Sequence, residues 1–246
     1  MLRFWRSSKG NAKPQLPYGV RVYAIGDIHG RADLLHDMFT VIDADLARSM
    51  PPEPIEVFLG DYIDRGPDSS KTLDLLIERS RSHKTVFLKG NHEAHMLEVL
   101  RDSAKVADWR QFGGLQTMIS YGLQPSLNPD AEEQADLIRC LTAVLPDAHL
   151  KFLQHLKPKF VCGDFCFVHA GVRPGIPIEE QQEADLLWIR NEFLESEENF
   201  GKYIVHGHTP VRAPDIRPNR INIDTGAYAT GNLTLLTIEG SSMLAL

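Results

Sequence analysis

Cysteine is scarce in this chain. Cys140, Cys162 and Cys166 are too few and of the wrong parity for a disulfide framework, and their spacing is not that of a zinc ribbon, so all three are expected as reduced core residues. Long apolar runs are missing as well: no stretch approaches the roughly 18 to 20 consecutive apolar residues of a membrane span. Positive charge is also short. Lys and Arg number 26 against 33 Asp and Glu, a formal net charge of -7, which argues against a protein that coats nucleic acid, because phosphate neutralisation needs a basic surplus. A nuclease would want a basic trough on the same grounds. Residues 1–17 carry Arg3, Arg6, Lys9 and Lys13 and no acid, yet lack the apolar centre of a signal peptide; a polar arm over residues 1–18 and a cytoplasmic location are expected. Repeats, low-complexity tracts and long linkers are absent too, leaving one domain over residues 19–246.

What is present is periodic. Gly19 to about Ile25 reads as a short apolar strand, and in the stretch after it Leu34, Leu35, Met38, Phe39, Ile42 and Leu46 recur at helical spacing. The pattern repeats twice. I-E-V-F-L leads through a loop from Gly60 to Pro67 into a helix around Leu73 to Arg79, and K-T-V-F-L-K ends at Gly90 before a helix holding Met96, Leu97 and Leu100. Three strand, loop and helix units in succession imply a parallel sheet with right-handed crossovers, whose loops open along one edge at the strands' C-terminal ends. About Arg101 to Lys157 reads as a helical, polar insert in which Gly113, Gly114 and the run Ser120 to Gly122 have no assigned place. Beyond it, K-F-V-C and F-C-F-V-H are strands joined by a Gly163-Asp164 hairpin turn, and K-Y-I-V-H, R-I-N-I-D and N-L-T-L-L-T-I complete a β-rich half. The expected fold is α/β: two packed sheets with helices outside.

Chemistry gathers at the strand ends. Gly26-Asp27-Ile28-His29-Gly30, Gly60-Asp61-Tyr62-Ile63-Asp64-Arg65-Gly66 and Gly90-Asn91-His92-Glu93 each follow an apolar strand, as do His169-Ala170-Gly171 and Gly207-His208-Thr209-Pro210. Glycine beside a ligand residue lets the backbone turn sharply and leaves room for a bound group. Oxygen and imidazole donors without thiolate suit hard or borderline divalent metals. Any one loop is weak, since G-D-x-H-G could be an Asx turn and G-N-H-E a helix start capped by Asn. Five in order carry the argument together.

These residues resemble the calcineurin-like metallophosphoesterase superfamily, and within it the phosphoprotein phosphatase branch, to which the bacterial symmetrical diadenosine tetraphosphate hydrolases also belong. The resemblance runs from about Arg21 to Leu236. It implies a four-layer αββα sandwich, two mixed β-sheets flanked by helices, with a dinuclear metal site at the strand ends. Asp27 and His29 would ligate the first metal, Asn91, His169 and His208 the second, and Asp61 would bridge them; Asn91 is assigned a phosphate contact as well. Two divalent ions are implied, manganese first, with iron, zinc, cobalt or nickel compatible with the same donors. A carboxylate can hold two cations, and a water shared between them loses a proton near neutral pH, giving a hydroxide for in-line attack on phosphorus. His92 would protonate the leaving oxygen, Asp64 would orient it and favour its imidazolium, and Arg65 would fork onto phosphate oxygens. For a second arginine, Arg190 is preferred and Arg173 competes.

Other features are read as structural. His92-Glu93-Ala94-His95 is one residue short of the zincin H-E-x-x-H. His206 is expected as a neighbour of His208 or a sheet residue, and His36, His83, His149 and His155 as surface or capping residues. The acids from Glu179 to Glu198 read as a solvated helix face. The function expected first is a metal-dependent serine/threonine protein phosphatase. The alternative is hydrolysis of diadenosine tetraphosphate or a similar dinucleotide, and a third reading, from another class, is a non-catalytic binding scaffold. The expected partner is thus a phosphorylated protein, a small phosphate ester or a dinucleotide, with no stable nucleic-acid binding. Specificity is assigned to the insert and to Ile223-Asp224-Thr225-Gly226-Ala227-Tyr228, which lacks the form of the eukaryotic phosphatases.

Overall fold

A computed structural model describes residues 13–126 and 128–246. The chain opens with three strand and helix pairs: β1 (Val20–Ile25), α1 (Ala32–Ser49), β2 (Glu53–Phe58), α2 (Ser69–Arg79), β3 (Thr85–Phe87) and α3 (Asn91–Val99). As the periodicity predicts, β1, β2 and β3 lie side by side and parallel, with Val22 opposite Ile55 and Val57 opposite Val86. Residues 101–157 contain α4 (Val106–Trp109), α5 (Leu115–Ser120), α6 (Ala131–Val144) and α7 (Asp147–Gln154). A second set follows: β4 (Lys159–Cys162), β5 (Phe165–Val168), α8 (Glu183–Trp188), α9 (Asn191–Leu194), β6 (Tyr203–His206), β7 (Asp215–Ile216), β8 (Arg220–Asn222), α10 (Ala227–Thr230), β9 (Leu235–Glu239) and β10 (Ser242–Ala245).

The strands form two mixed sheets, β10-β9-β1-β2-β3 and β4-β5-β6-β8-β7. In the second, β5, β6 and β8 run parallel, while β4 folds back on β5 through the expected Gly163-Asp164 hairpin. Side chains on successive residues point to opposite faces of a strand, and the three apolar clusters follow that alternation. Val22, Ala24, Ile55 and Val57 meet Phe165, Phe167 and Val205 between the sheets. Tyr23, Ile25 and Phe58 face the other way, against Leu35, Leu73, Met96, Trp109 and Leu141 of the helices. Cys166, Val168 and Ile204 pack under Leu186, Ile189 and Phe193. Both sheets are therefore covered on both faces, and the layers read helix, sheet, sheet, helix.

Two expectations need correcting. Cys140 is exposed, because Ile138 and Leu141 set the buried face of α6 and Cys140 falls outside it. His149 is buried instead of superficial, its Nδ1 2.8 Å from the Tyr121 hydroxyl and its Nε2 3.1 Å from Asp74 Oδ1. Of the expected polar arm, residues 1–12 lie outside the described residues. Within 13–18, Leu16 is buried and its N–H donates to the Gly240 carbonyl, while the Gln15 N–H donates to Asp164.

Candidate metal centre

Parallel strands deliver their C-terminal loops to one edge of a sheet, and here two such edges meet. The loops arrive strained. Among the described residues six non-glycine residues have positive φ, and five of them stand here: His29, Asp61, Asp64, Arg65 and His208. Each such conformation costs of order 1–3 kcal/mol and persists only where the surroundings over-determine it. The loops also lock onto one another, the Asp61 carbonyl accepting the N–H groups of Ile28 and His29 at 3.1 and 2.8 Å. At Gly90 only a glycine fits, because a Cβ there would stand 2.1 Å from Asp61 Oδ1.

This packing gathers six predicted ligands. Asp61 Oδ2 lies 3.5 Å from His29 Nε2, and its Oδ1 lies 3.4 Å from His169 Nε2. Asn91 Oδ1 is 2.9 Å from both His169 Nε2 and His208 Nδ1. Among the described residues two groups of donor atoms lie close enough together to hold a metal ion, His29 with Asp61 and His92, and Asp61 with His169 and His208, so Asp61 belongs to both. Asp27 enters from the other side, accepting the His208 N–H on Oδ2 at 2.9 Å. Its Oδ1 is buried with no protein partner, as are His92 Nε2 and His208 Nε2.

The donor chemistry fits divalent cations. His29 and His169 donate from Nδ1 to the carbonyls of Ile63 and Leu59, so each Nε2 bears a lone pair. Burial keeps these rings neutral, driving His29 down to about 3 and His169 below its ordinary value; His208 falls to about 2 for the same reason. Burial opposes ionisation of Asp61, yet the charges that His169, His92, His29 and His208 carry when protonated pull it below the usual carboxylate range. Asp27 is pushed well up by burial and by the charges of Asp224 and Asp61. Lone pairs thus face lone pairs around one shared carboxylate, an arrangement that a cation between them would resolve.

The matching family model is the calcineurin-like phosphoesterase, over residues 20–230. The chain belongs to that family. It is a hydrolase, and its family's phosphoesterases work with divalent metals. Among curated proteins it is 27% identical over 237 residues to the asymmetrical bis(5'-nucleosyl)-tetraphosphatase PrpE of Anoxybacillus flavithermus, covering 86% of this chain and 88% of that one. It is 29% identical over 223 residues to serine/threonine-protein phosphatase 1 of Salmonella typhimurium, covering 89% and 92%. A solved mutant of a cold-active protein tyrosine phosphatase shares the fold, with a TM-score of 0.59 at 17% identity over 94% of this chain and 80% of that one.

The remaining predicted residues of this phosphoesterase surround the same centre. His92 Nδ1 lies 2.7 Å from Asp64 Oδ2, leaving Nε2 directed at the centre, 3.8 Å from Asp61 Oδ2. Burial works against the His92 cation, but Asp61 and Asp64 outweigh it and raise the group above its ordinary value. Arg65 sends Nη1 to within 3.1 Å of His29 Nε2 and lies over the Tyr228 ring, 5.0 Å from its centroid. The two candidate arginines separate. Arg173 is tied to Asp185 at 2.6 and 2.8 Å and to Glu192 at 3.3 Å, whereas the charge of Arg190 reaches His169 and His208 and disfavours their protonation.

Sequence reasoning left two contributors without a role at the centre. Glu93, named in the Gly90-Asn91-His92-Glu93 loop but given no role, accepts the N–H groups of Gly90, Asp61, Tyr62 and Ile63 and so holds the Asp61 loop. Burial and the Asp61 charge push it up to about 8, against the His92 charge and the N–H groups of Tyr62 and Ile63. Asp224 follows β8 and stands beside Asp27, with burial raising it to about 6. The rule used for the other loops, an acid directly after an apolar strand, could have found it.

Proposed function

We propose that this hydrolase cleaves phosphate monoesters of serine and threonine in proteins. One observation supports the reading most: a buried imidazole, held by a carboxylate at 2.7 Å, aims an unpartnered Nε2 at the place where the two candidate metal groups share Asp61. Asp27, His29 and Asp61 would hold one divalent ion and Asp61, Asn91, His169 and His208 another, with manganese first among the metals these donors accept. Such ions supply Lewis acidity and an acidified water. In this reading Arg65, Arg190 and the Asn91 amide fix the phosphate oxygens. Water oxygen bonds to phosphorus as the bond to the leaving oxygen breaks, and the proton on His92 Nε2 passes to that oxygen. An alkoxide of serine or threonine needs the proton; a departing nucleotide phosphate scarcely does.

A second reading, hydrolysis of a dinucleoside tetraphosphate, is favoured by a different observation. Phe112, Trp188 and Tyr228 are partly exposed, and each ring meets a site histidine: Phe112 to His92 at 6.4 Å, Trp188 to His208 at 6.2 Å and Tyr228 to His29 at 5.4 Å between centroids. Aromatic faces at a phosphate site suit stacked bases. The PrpE likeness points the same way.

The deciding experiment compares metal-loaded enzyme and His92→Asn on a phosphoserine peptide, diadenosine tetraphosphate and nitrophenyl phosphate. The variant should lose roughly a hundredfold or more on the peptide and much less on nitrophenyl phosphate, whose leaving group hardly needs protonation. Equal losses on all three would remove His92 as the acid, and a kcat/KM for the dinucleotide far above that for the peptide would favour the second reading.

A further inference from the structure

Apart from the Phe112 ring beside His92, residues 101 to 157 have had no role in the chemistry so far, yet they grip the loop that carries Asp64 and Arg65. Thr117 on α5 holds Asp64 at both ends. Its hydroxyl lies 2.6 Å from Asp64 Oδ1 and 2.9 Å from the Asp64 amide nitrogen. An ionised carboxylate cannot donate and an amide N–H cannot accept, so the hydroxyl proton points to Oδ1 and an oxygen lone pair takes the N–H. Ser69 Oγ supports the same corner, 3.0 Å from the Asp64 nitrogen and 2.9 Å from Thr117 Oγ1. From the end of α4, Trp109 donates Nε1–H to Asp64 Oδ2 at 2.9 Å, the oxygen that also meets His92. Thr117, Trp109 and Asp64 are all fully buried.

The backbone of this stretch is fitted to the loop as well. Gly113 takes φ +108 and its carbonyl accepts the Arg65 N–H at 3.1 Å; a Cβ on Gly113 would stand 2.5 Å from the Arg65 nitrogen. Gly114 lies against the Trp109 ring. Sequence reasoning had found no place for these two glycines.

Two donors, Thr117 on Oδ1 and Trp109 on Oδ2, fix the plane of Asp64, and the bond between Oδ2 and His92 Nδ1 then fixes the plane of the His92 ring. We propose that Thr117 and Trp109 are positioning residues for proton delivery, so that the insert, through Asp64, aims His92 Nε2 at the leaving oxygen. The proposal rests on the reading of His92 as the acid, and the experiment keeps the two apart.

The experiment measures metal-loaded full-length protein carrying Thr117→Val, Thr117→Ser or Trp109→Phe, with His92→Asn alongside, on phosphate esters whose leaving groups span alkyl to nitrophenyl. Thr117→Val keeps the shape and loses the hydroxyl. It should lower kcat about tenfold on alkyl esters and less than about threefold on nitrophenyl phosphate, with KM and metal content unchanged. Thr117→Ser restores the hydroxyl and should restore the rate to within about twofold. Trp109→Phe should show the same leaving-group dependence. Equal loss of Thr117→Val on every ester, or failure of Ser to restore the alkyl rate, overturns the positioning role. If His92→Asn discriminates between leaving groups and the Thr117 variants do not, this proposal fails while the acid reading stands. If His92→Asn does not discriminate either, the acid reading fails and takes the proposal with it. Should Thr117→Val not fold, Trp109→Phe decides on the same criterion.

Discussion

The strands of the first sheet carry two buried charge clusters, and they differ in kind. Along their length the cluster is self-neutralising. Glu56 on β2 is buried, but Arg79 donates to both its oxygens at 2.6 to 3.0 Å and to Asp43 as well. Arg21 on β1 pairs with Asp45 at 2.9 Å, and Asp45 also accepts the Tyr23 hydroxyl at 2.7 Å. A few residues further on, past the ends of the same two strands, Asp27 and Asp61 meet the neutral imidazoles of His29, His169 and His208, and buried atoms are left without partners. Burying an ion demands a partner, and the chain supplies one in the first place and withholds it in the second. The incomplete cluster is the one built for something the chain itself does not contain.

Altering each cluster tests that contrast. The largest effect belongs to the incomplete one. Asp61→Asn keeps the shape of the shared carboxylate and removes its charge; metal content should fall, and activity should drop by more than about a thousandfold, roughly 4 kcal/mol of barrier. The metal-free protein should melt no lower than wild type. Metal analysis after dialysis, steady-state kinetics and a melting curve check all three, and a fully metallated, active variant would undo the comparison.

The complete cluster should respond the other way. Arg79→Met strands Glu56 as an unpaired buried charge, at a cost of about 3–5 kcal/mol of folding stability. The rate per folded, metal-loaded molecule should stay the same. Urea unfolding of the metal-free protein reads the loss, and adding Glu56→Gln should recover part of it, since no ion then remains buried. An unchanged midpoint for Arg79→Met would show that the pair contributes nothing.

How much of this could be read in advance depended on locality. Asp27, His29, Asp61, Asn91, His169 and His208 each sit in a short motif after an apolar strand, and parallel strands bring such motifs to one edge, so the meeting of these six side chains was legible before their distances were. Thr117 and Trp109 were not, because they are ordinary helix residues 53 and 45 positions from the Asp64 they hold. No local pattern announces such a contact. His149 lay between these cases. His149 and Leu153 are four apart on α7 and both buried, so the helical phase marked His149 as inward, and an emphasis on chemical motifs hid that signal.

His206 offers the smallest and cleanest separation of burial from metal binding. It is fully buried on β6, two residues before His208, with its ring 4.9 Å from that of Phe193 and its Nδ1 3.2 Å from the Gly207 carbonyl. Its Nε2 has no partner, and burial lowers the group from 6.5 to about 3, with the nearby Arg220 charge acting in the same direction and Asp215 against it. The unfolded chain therefore takes up a proton near pH 6.5 that the folded chain refuses until about pH 3. Because the unfolded state binds more protons in that window, this group's contribution falls as pH falls, by about 1.4 kcal/mol per pH unit. His29, His169 and His208 share the sign while Asp27 and Asp224 oppose it, so the wild-type curve alone mixes them. His206→Leu removes one contribution and leaves the rest. The stability of the variant relative to wild type should rise by about 2 kcal/mol between pH 7 and pH 5, read from denaturant midpoints in chelator, and a difference independent of pH would mean that the folded chain takes up the His206 proton as readily as the unfolded one.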